Sequence, residues 1–246
     1  METGLPSSEI PFNHDCELCG DTGWILHLDE YGNRSSEKCR CLLAREAGRR
    51  IRNSGLSHVI DNWTLDSFAT DQPHQKRMKD TVTAFISAVQ AGEKPWLFIG
   101  GAVGSGKSHL CTAACGELLK YRFSVRYFQW LTDARRMKSI ITDHDSYEDQ
   151  LARYTRADIL YIDDLFKSKR GDQDGLSPSD ADVRLAFELI NGRYVENKIV
   201  VISSEWLLTQ ELLAVDEGTF SRVYERSKGY RVEIKREEGR NYRIDG

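Results

Sequence analysis

Positive charge is not in excess in this chain. Lysine and arginine together number 34 against 38 aspartate and glutamate residues, a formal net charge of −4. No overall basic field is therefore available to coat nucleic acid, and any DNA contact must be a local patch or be shared across several subunits. Long hydrophobic runs are missing too, since no apolar stretch approaches the roughly 20 residues of a membrane-spanning helix. The opening METGLPSSEI has neither a basic n-region nor an apolar h-region, which predicts a cytoplasmic chain without a membrane partner. Cysteines number only six, and in that compartment they are expected as thiols or metal ligands, not disulfides.

What is present is an ordinary globular composition. With 246 residues, 40% of them hydrophobic and 29% charged, the chain can build one sizeable core plus a small appendage and should not be disordered.

The most informative stretch is FIGGAVGSGKSHL, Phe98 to Leu110, which matches G-x-x-x-x-G-K-[ST] from Gly101 to Ser108. A short apolar strand precedes it (Trp96 to Ile99) and a helical pattern follows from His109, the setting a phosphate-binding loop requires. Glycines at 101, 104 and 106 let backbone N–H groups turn toward phosphates while the new helix presents its positive end. Lys107 would reach the β and γ phosphates, and Ser108 would offer an oxygen to Mg²⁺. The expected nucleotide-binding set is Gly101, Ala102, Val103, Gly104, Ser105, Gly106, Lys107, Ser108 and His109. A chance match in a chain of this length is on the order of one in a hundred.

A second apolar strand, Ala157 to Ile162, ends in Asp163 and Asp164. Asp163 is placed to hold Mg²⁺, directly or through water, and Asp164 to polarise an attacking water. A third strand, Lys198 to Ile202, ends in Ser203 and Ser204. Strands alternating with helices predict an α/β fold with a parallel sheet flanked by helices, its ligands at the carboxyl ends of the strands. These three strand-end motifs should therefore meet.

The cysteines fall into two groups. Cys16 and Cys19 form a C-x-x-C-G knuckle, and Cys39 and Cys41 return after a segment that reads as a strand entering a Gly/Asn turn. Four thiolates on two tight turns suit tetrahedral Zn²⁺, with an iron–sulfur cluster or free thiols as alternatives; His14 and His27 are rival ligands. Cys111 and Cys115, four apart on the helix after the loop, are expected as core residues. A basic helix, Leu42 to Asn53, carries Arg45, Arg49, Arg50 and Arg52 and is either a solvated linker or a contact for an acidic partner or nucleic acid. Trp63 and Phe68, just ahead of the core, would pack either on adenine or on the protein itself. Arg135, Arg136 and Lys138 are candidate phosphate contacts, and the polar loop 167–182 is a substrate loop or a surface connection.

With these pieces in place, the chain resembles the DnaC/DnaI-type helicase loaders of the AAA+ ATPases, in particular the phage and Gram-positive forms with an N-terminal zinc knuckle. The similarity rests on CELCGDTGW with the later CRC, VIDNWTLDSF, GAVGSGKSHL, ADILYIDDLFK, SPSDADVRLAFELINGRYVENKIVVISSEW and FSRVYERSKGY. It implies an AAA+ P-loop core over 54–246 preceded by a zinc-binding, helicase-interacting region over 1–53. Lys107, Ser108, Asp163 and Asp164 would serve ATP and Mg²⁺, and Ser203 or Ser204, with Ser204 favoured, would occupy the sensor position. Arg222, or failing it Arg226, would act as an arginine finger on a neighbouring subunit's γ-phosphate, which makes the active form an oligomer. Many AAA+ proteins carry Asn at the sensor and Glu where Asp164 stands, so slow hydrolysis is expected. The implied function is ATP-dependent loading of a replicative helicase onto DNA, with ATP binding and hydrolysis controlling contacts to neighbouring subunits and to single-stranded DNA. The alternatives are an IstB-type transposition helper ATPase and a non-catalytic ATP-binding adaptor.

Overall fold

Apolar segments of four to seven residues alternate with amphipathic helices through most of the chain, and in the computed structural model these segments line up side by side as one parallel sheet. The structure describes residues 16–29, 31–167 and 177–235. His14 and the interior of the 167–182 loop lie outside the described residues.

The first two strands form a separate two-stranded sheet. Strands β1 (Trp24–Leu28) and β2 (Arg34–Lys38) form an antiparallel hairpin with Trp24 opposite Lys38 and Leu28 opposite Arg34. Its turn is set by Asp29, whose carboxylate accepts from the Tyr31 and Asn33 amides at 2.9 and 2.7 Å, an Asx-type arrangement. Helix α1 (Arg40–Ser54) follows and ends at Gly55, whose φ of 87° supplies the left-handed cap. The expected boundary at 53/54 thus coincides with the last turn of α1. Arg50 is turned inward, donating to the Leu119 carbonyl at 3.3 Å, whereas Arg49 and Arg52 are exposed.

Helix α2 (Pro73–Gln90) starts with proline in its first turn and a reciprocal Gln72–Gln75 capping box, and buries Met78, Val82, Phe85, Ile86 and Val89 at helical spacing. Then come β3 (Leu97–Gly101), α3 (Lys107–Lys120) and β4 (Val125–Gln129). A π-helical turn over Trp130–Ala134 and the short α4 (Arg135–Ser139) follow. Helix α5 (His144–Arg156) is capped by Asp143, whose side chain accepts from the Ser146 amide. Strand β5 (Ile159–Leu165) carries the two aspartates. Helix α6 (Asp180–Val195) starts where Ser179 and Asp182 form a capping box. After β6 (Ile199–Ser204), a second π-helical turn (Leu208–Leu212) and α7 (Leu213–Val215) lead into α8 (Glu217–Arg226) and β7 (Arg231–Ile234).

The five parallel strands run β4-β5-β6-β3-β7 across the sheet, so β6 is inserted between the loop-bearing β3 and the aspartate-bearing β5. Because successive side chains in a strand point to opposite faces, each central strand feeds two cores. Ile99, Ile159, Tyr161 and Val201 join the α2 and α3 side chains, while Phe98, Leu160, Ile162 and Ile202 join α6 and α8. Cys111 and Cys115 are fully buried in the first cluster, as expected of core residues. Arg193 ties the amino-terminal end of the sheet together. It is fully buried and donates to the carbonyls of Thr155, Ala157, Asp158 and Ile199. Among the described residues no helix is long and apolar enough to cross a membrane.

Candidate nucleotide site and cysteine cluster

The loop between β3 and α3 has the backbone its glycines predict. Gly101, Gly104 and Gly106 all have positive φ, at 104°, 74° and 90°. A side chain at Gly106 would also meet the Phe68 ring, with a Cβ only 2.5 Å from its nearest carbon. This position is therefore closed to other residues by both backbone angle and space. Lys107 is buried and its ammonium donates to the Gly101 and Ala102 carbonyls at 3.0 and 2.7 Å. Burial lowers its pKa, opposed by the Asp164 and Glu205 carboxylates. Ser105 bonds back to the Ala102 carbonyl, while Val103 points outward and is half exposed. The first turn of the 14-residue α3 opens directly onto this loop, so its unpaired N–H groups and positive end face the same space.

The inserted strand brings the second and third motifs to this loop. Asp163 is almost fully buried, and its four partners are all hydroxyl groups. Oδ1 accepts from Ser108 at 2.7 Å, Ser203 at 2.5 Å and Tyr161 at 2.8 Å, and Oδ2 accepts from Tyr127 at 2.8 Å. A buried carboxylate surrounded by neutral donors and in contact with the loop serine fits a hard divalent cation, which prefers oxygen ligands. Ser108 and Asp163 are the residues that would hold Mg²⁺ there.

Of the two strand-end serines, Ser203 and not the favoured Ser204 faces Asp163. Ser204 donates to the Leu165 carbonyl at 2.9 Å, on the face away from Asp163, while Ser203 reaches both Asp163 and the Asp164 amide. Strand alternation forbids both hydroxyls from facing the site at once.

Asp164 lies within a register shift, where three steps on β5, from Ile162 to Leu165, match two on β6, from Ile202 to Ser204. Its φ of 54° and that of Phe166, 63°, mark the backbone strain such a bulge carries. The bulge turns the Asp164 carboxylate toward Lys167, which donates to it at 2.7 Å and pairs with Glu205 at 2.9 Å. Burial works against the Lys167 charge, but these two carboxylates outweigh it and its pKa is raised.

His109 is used structurally. Its ring lies against Trp63 and Phe68, and Nε2 sits 2.9 Å from the Thr64 carbonyl and 3.2 Å from the Ser67 hydroxyl. The aromatic lead-in segment is thereby fastened to the first turn of α3. Lys138 is half-buried and paired with Asp182 at 2.7 Å, so Arg135 and Arg136 are the exposed members of their basic trio. Arg222 bonds to the Gly218 carbonyl and lies over Tyr194; Arg226 bonds to the Lys94 carbonyl and lies over Trp96. Lys94 and Trp96 precede β3, so Arg226 sits at the opposite end of that strand from the phosphate loop.

Tyr127, Tyr161, Lys167 and Glu205 are site residues that the motifs do not announce. Tyr161 was available from spacing alone, being two residues before Asp163 and so on the same strand face. Tyr127 joins it through the β4–β5 register, which sets Tyr127 opposite Tyr161 and Gln129 opposite Asp163.

The four N-terminal cysteines come together, their sulfurs all within 4.8 Å of one another. Cys16 lies 3.7 Å from Cys39, and Cys19 lies 3.4 Å from Cys41. Thiolates at the corners of a zinc tetrahedron stand about 3.8 Å apart, so the cluster has the size and the soft donors for zinc. Burial and the Cys19 thiol push the Cys41 pKa up to about 12. For Cys19, burial is outweighed by the Gly23 amide and Cys41, which bring it down to about 7. Four adjacent thiolates would repel one another without a cation, and a metal ion removes that conflict. His27 is turned away, 3.2 Å from Glu37.

A parallel sheet with an inserted strand, a glycine-rich loop opening a helix and an acidic strand end define a P-loop nucleotide-binding protein of the AAA+ type. The IstB-like ATP binding protein family model matches residues 41–219, and the chain belongs to that family. It is 30% identical over 237 residues to the phage-like element PBSX protein XkdC of Bacillus subtilis (strain 168), an alignment covering 94% of this chain and 86% of that protein. Among solved structures, a DnaC helicase loader superposes with a TM-score of 0.56 at 21% identity, covering 72% of this chain and 97% of that one. DnaI superposes with a TM-score of 0.52 at 17% identity, covering 77% and 98%. These likenesses place the fold, and the phage-like relative agrees with the form the sequence resembles.

Proposed function

We propose that this protein is an ATP-dependent loader of a replicative DNA helicase, acting in the cytoplasm at the start of DNA replication. The observation that carries this reading is the meeting of Lys107, Ser108, Asp163 and Ser203 at one end of an AAA+ sheet, in a chain that also bears a four-cysteine hairpin. ATP with Mg²⁺ would sit on the loop, where the cation supplies charge neutralisation between the phosphates. Lys107 and the α3 amides bind and orient the phosphates, Ser108 and Asp163 offer oxygens to the cation, Ser203 fixes Asp163, and Asp164 orients the attacking water.

Arg226, with Arg222 one turn before it, would serve the nucleotide of a neighbouring copy, because Arg226 lies at the far end of β3 from its own chain's loop. The active form is accordingly an oligomer. Arg135 and Arg136 are the residues we assign to single-stranded DNA, through its phosphates. The cysteine hairpin would hold Zn²⁺ and grip the helicase. Its face bearing Trp24, Leu26 and Leu28 is 45, 77 and 71% exposed, with Arg34 and Lys38 across the hairpin from Leu28 and Trp24. Support for the helicase comes from the fold shared with the DnaC loader and DnaI.

The test is size-exclusion chromatography with light scattering, with ATP and a candidate replicative helicase present. A co-eluting complex whose ATP turnover disappears in Lys107→Ala is the expected result. No complex, or unchanged function in that variant, would sink the reading and leave a non-catalytic adaptor. The family match favours a second reading, an IstB-type transposition helper engaging a transposase. The matched span begins at Cys41 and omits Cys16, Cys19 and Cys39, so the hairpin lies outside what defines that family. Capture by a transposase and not by a helicase would decide for the helper. Metal analysis should return about one equivalent of zinc per chain; less than about half, with no iron, would count against the metal centre.

A further inference from the structure

Two tyrosines from adjacent strands converge on the carboxylate of Asp163, and neither belongs to any motif that identifies the loop. Tyr161, fully buried on β5, donates to Oδ1 at 2.8 Å; Tyr127, on the neighbouring edge strand β4, donates to Oδ2 at 2.8 Å. Their rings pack against each other with centroids 5.2 Å apart, and Tyr161 also approaches the Ser108 carbonyl at 3.3 Å. The phenols therefore hold both oxygens of one carboxylate. A carboxylate held by one hydrogen bond can rotate about its terminal torsion, which is broad. One held through both oxygens is fixed in orientation, here with Oδ1 kept against the Ser108 hydroxyl at the start of α3.

We propose that Tyr127 and Tyr161 are positioning residues for the divalent cation that accompanies the nucleotide, acting through Asp163. The inference rests on the nucleotide reading given above and adds to it two residues that set how tightly the cation is held. Outer partners that orient a metal-ligating side chain commonly contribute 10- to 100-fold in metal affinity. They also explain how a nearly buried Asp163 is kept in place beside neutral groups alone. Tyr127 covers Oδ2, the oxygen that Ser108 and Ser203 leave open, and Tyr161 joins the two serines on Oδ1.

The experiment uses the full chain and a fluorescent ADP analogue, N-methylanthraniloyl-ADP, titrated in EDTA and at a series of Mg²⁺ concentrations. Tyr127→Phe and Tyr161→Phe remove only the hydroxyls, and thermal unfolding checks that each variant is folded. The expected result is an unchanged affinity in EDTA together with a rise of roughly 10- to 100-fold in the Mg²⁺ concentration needed for half of the Mg²⁺-dependent tightening. A folded variant with the wild-type Mg²⁺ requirement would overturn the inference, as would an equal loss of affinity with and without Mg²⁺, which marks a merely structural role. If Tyr161→Phe fails to fold, Tyr127→Phe decides alone, since Tyr127 is on the edge strand and only partly buried. Wild-type protein that does not bind the analogue at all defeats the proposed function, and the tyrosine assignment with it. Wild type that binds it and responds to Mg²⁺, beside unaffected variants, defeats the tyrosine assignment only.

Discussion

The β1–β2 hairpin and the β3–β6 pair are both short strand pairs, yet they are held by different physics. In β3 and β6 every residue is buried, and the strands carry phenylalanine, isoleucine and valine into two cores. In the hairpin no strand residue is buried, and the close contacts around it are among four sulfurs. Burial at about 25 cal/mol per Å² of apolar surface stabilises the first. The second has almost no apolar area to remove from water, and in the zinc reading proposed above it relies on ligand bonds. It follows that the two regions should fail under different insults, and that a residue's exposure means something different in each.

The largest effect that tests this contrast is metal removal. Structural zinc sites contribute on the order of 10 kcal/mol to folding of their small modules. Chelation, or Cys41→Ser, should therefore unfold the hairpin while the sheet keeps its nucleotide affinity, as hydrogen exchange resolved along the chain would show. Loss of nucleotide binding at the same time would mean that the two regions are one cooperative unit.

Next in size is Arg193→Leu, which should cost roughly 3–5 kcal/mol in denaturant unfolding. It strands carbonyls at the foot of the sheet that have little access to water. Burial brings the Arg193 pKa down to about 10, opposed by Glu196 and Asp158, so the side chain stays charged at neutral pH. A loss below about 1 kcal/mol would show that the sheet can re-satisfy those carbonyls.

A smaller effect belongs to Asp182. Burial acts against its carboxylate, but Lys138 and Ser179 outweigh burial and hold its pKa below the ordinary value. A depressed carboxylate contributes stability that is fully present above the unfolded value, about 3.9, and is lost as pH falls through the folded value. Comparing Lys138→Met with wild type should show a gap below about 1 kcal/mol at pH 6 that narrows toward pH 3. A gap that stays constant with pH would mean the contact is packing and not charge.

The smallest expected effect on stability is Trp24→Ser. This change on the exposed hairpin face should move the thermal midpoint within error, about 0.5 kcal/mol, while weakening capture of the helicase. A clear destabilisation would show that this face packs on the chain itself.

Much of the sheet was legible beforehand because its strands are continuous apolar runs punctuated by motifs of fixed chemistry. Residues 97–101, 159–165 and 199–204 were found within a residue or two, and the four cysteines and the phosphate loop announced themselves by spacing. Strand β7 was not anticipated, since Arg231–Ile234 alternates partly exposed with buried residues and owes its place to pairing with β3. The π-helical turn after β4 was hidden because a one-residue widening leaves no compositional trace. At the site, the choice between Ser203 and Ser204 depended on which face of β6 met Asp163. The roles of Tyr127, Lys167 and Glu205 depended on register and on a bulge. Such facts belong to strand pairing, which a local pattern of residues does not encode.

The placement of Arg226 at one extremity of β3 and of the phosphate loop at the other makes each molecule directional. Copies joined so that this arginine meets the next copy's phosphates form a head-to-tail series, which either closes on itself or stays open. In an open series the terminal copy keeps its own nucleotide without any visiting guanidinium. A row of n molecules would then fire at most n−1 times per round, and turnover per chain should climb with row length toward a plateau.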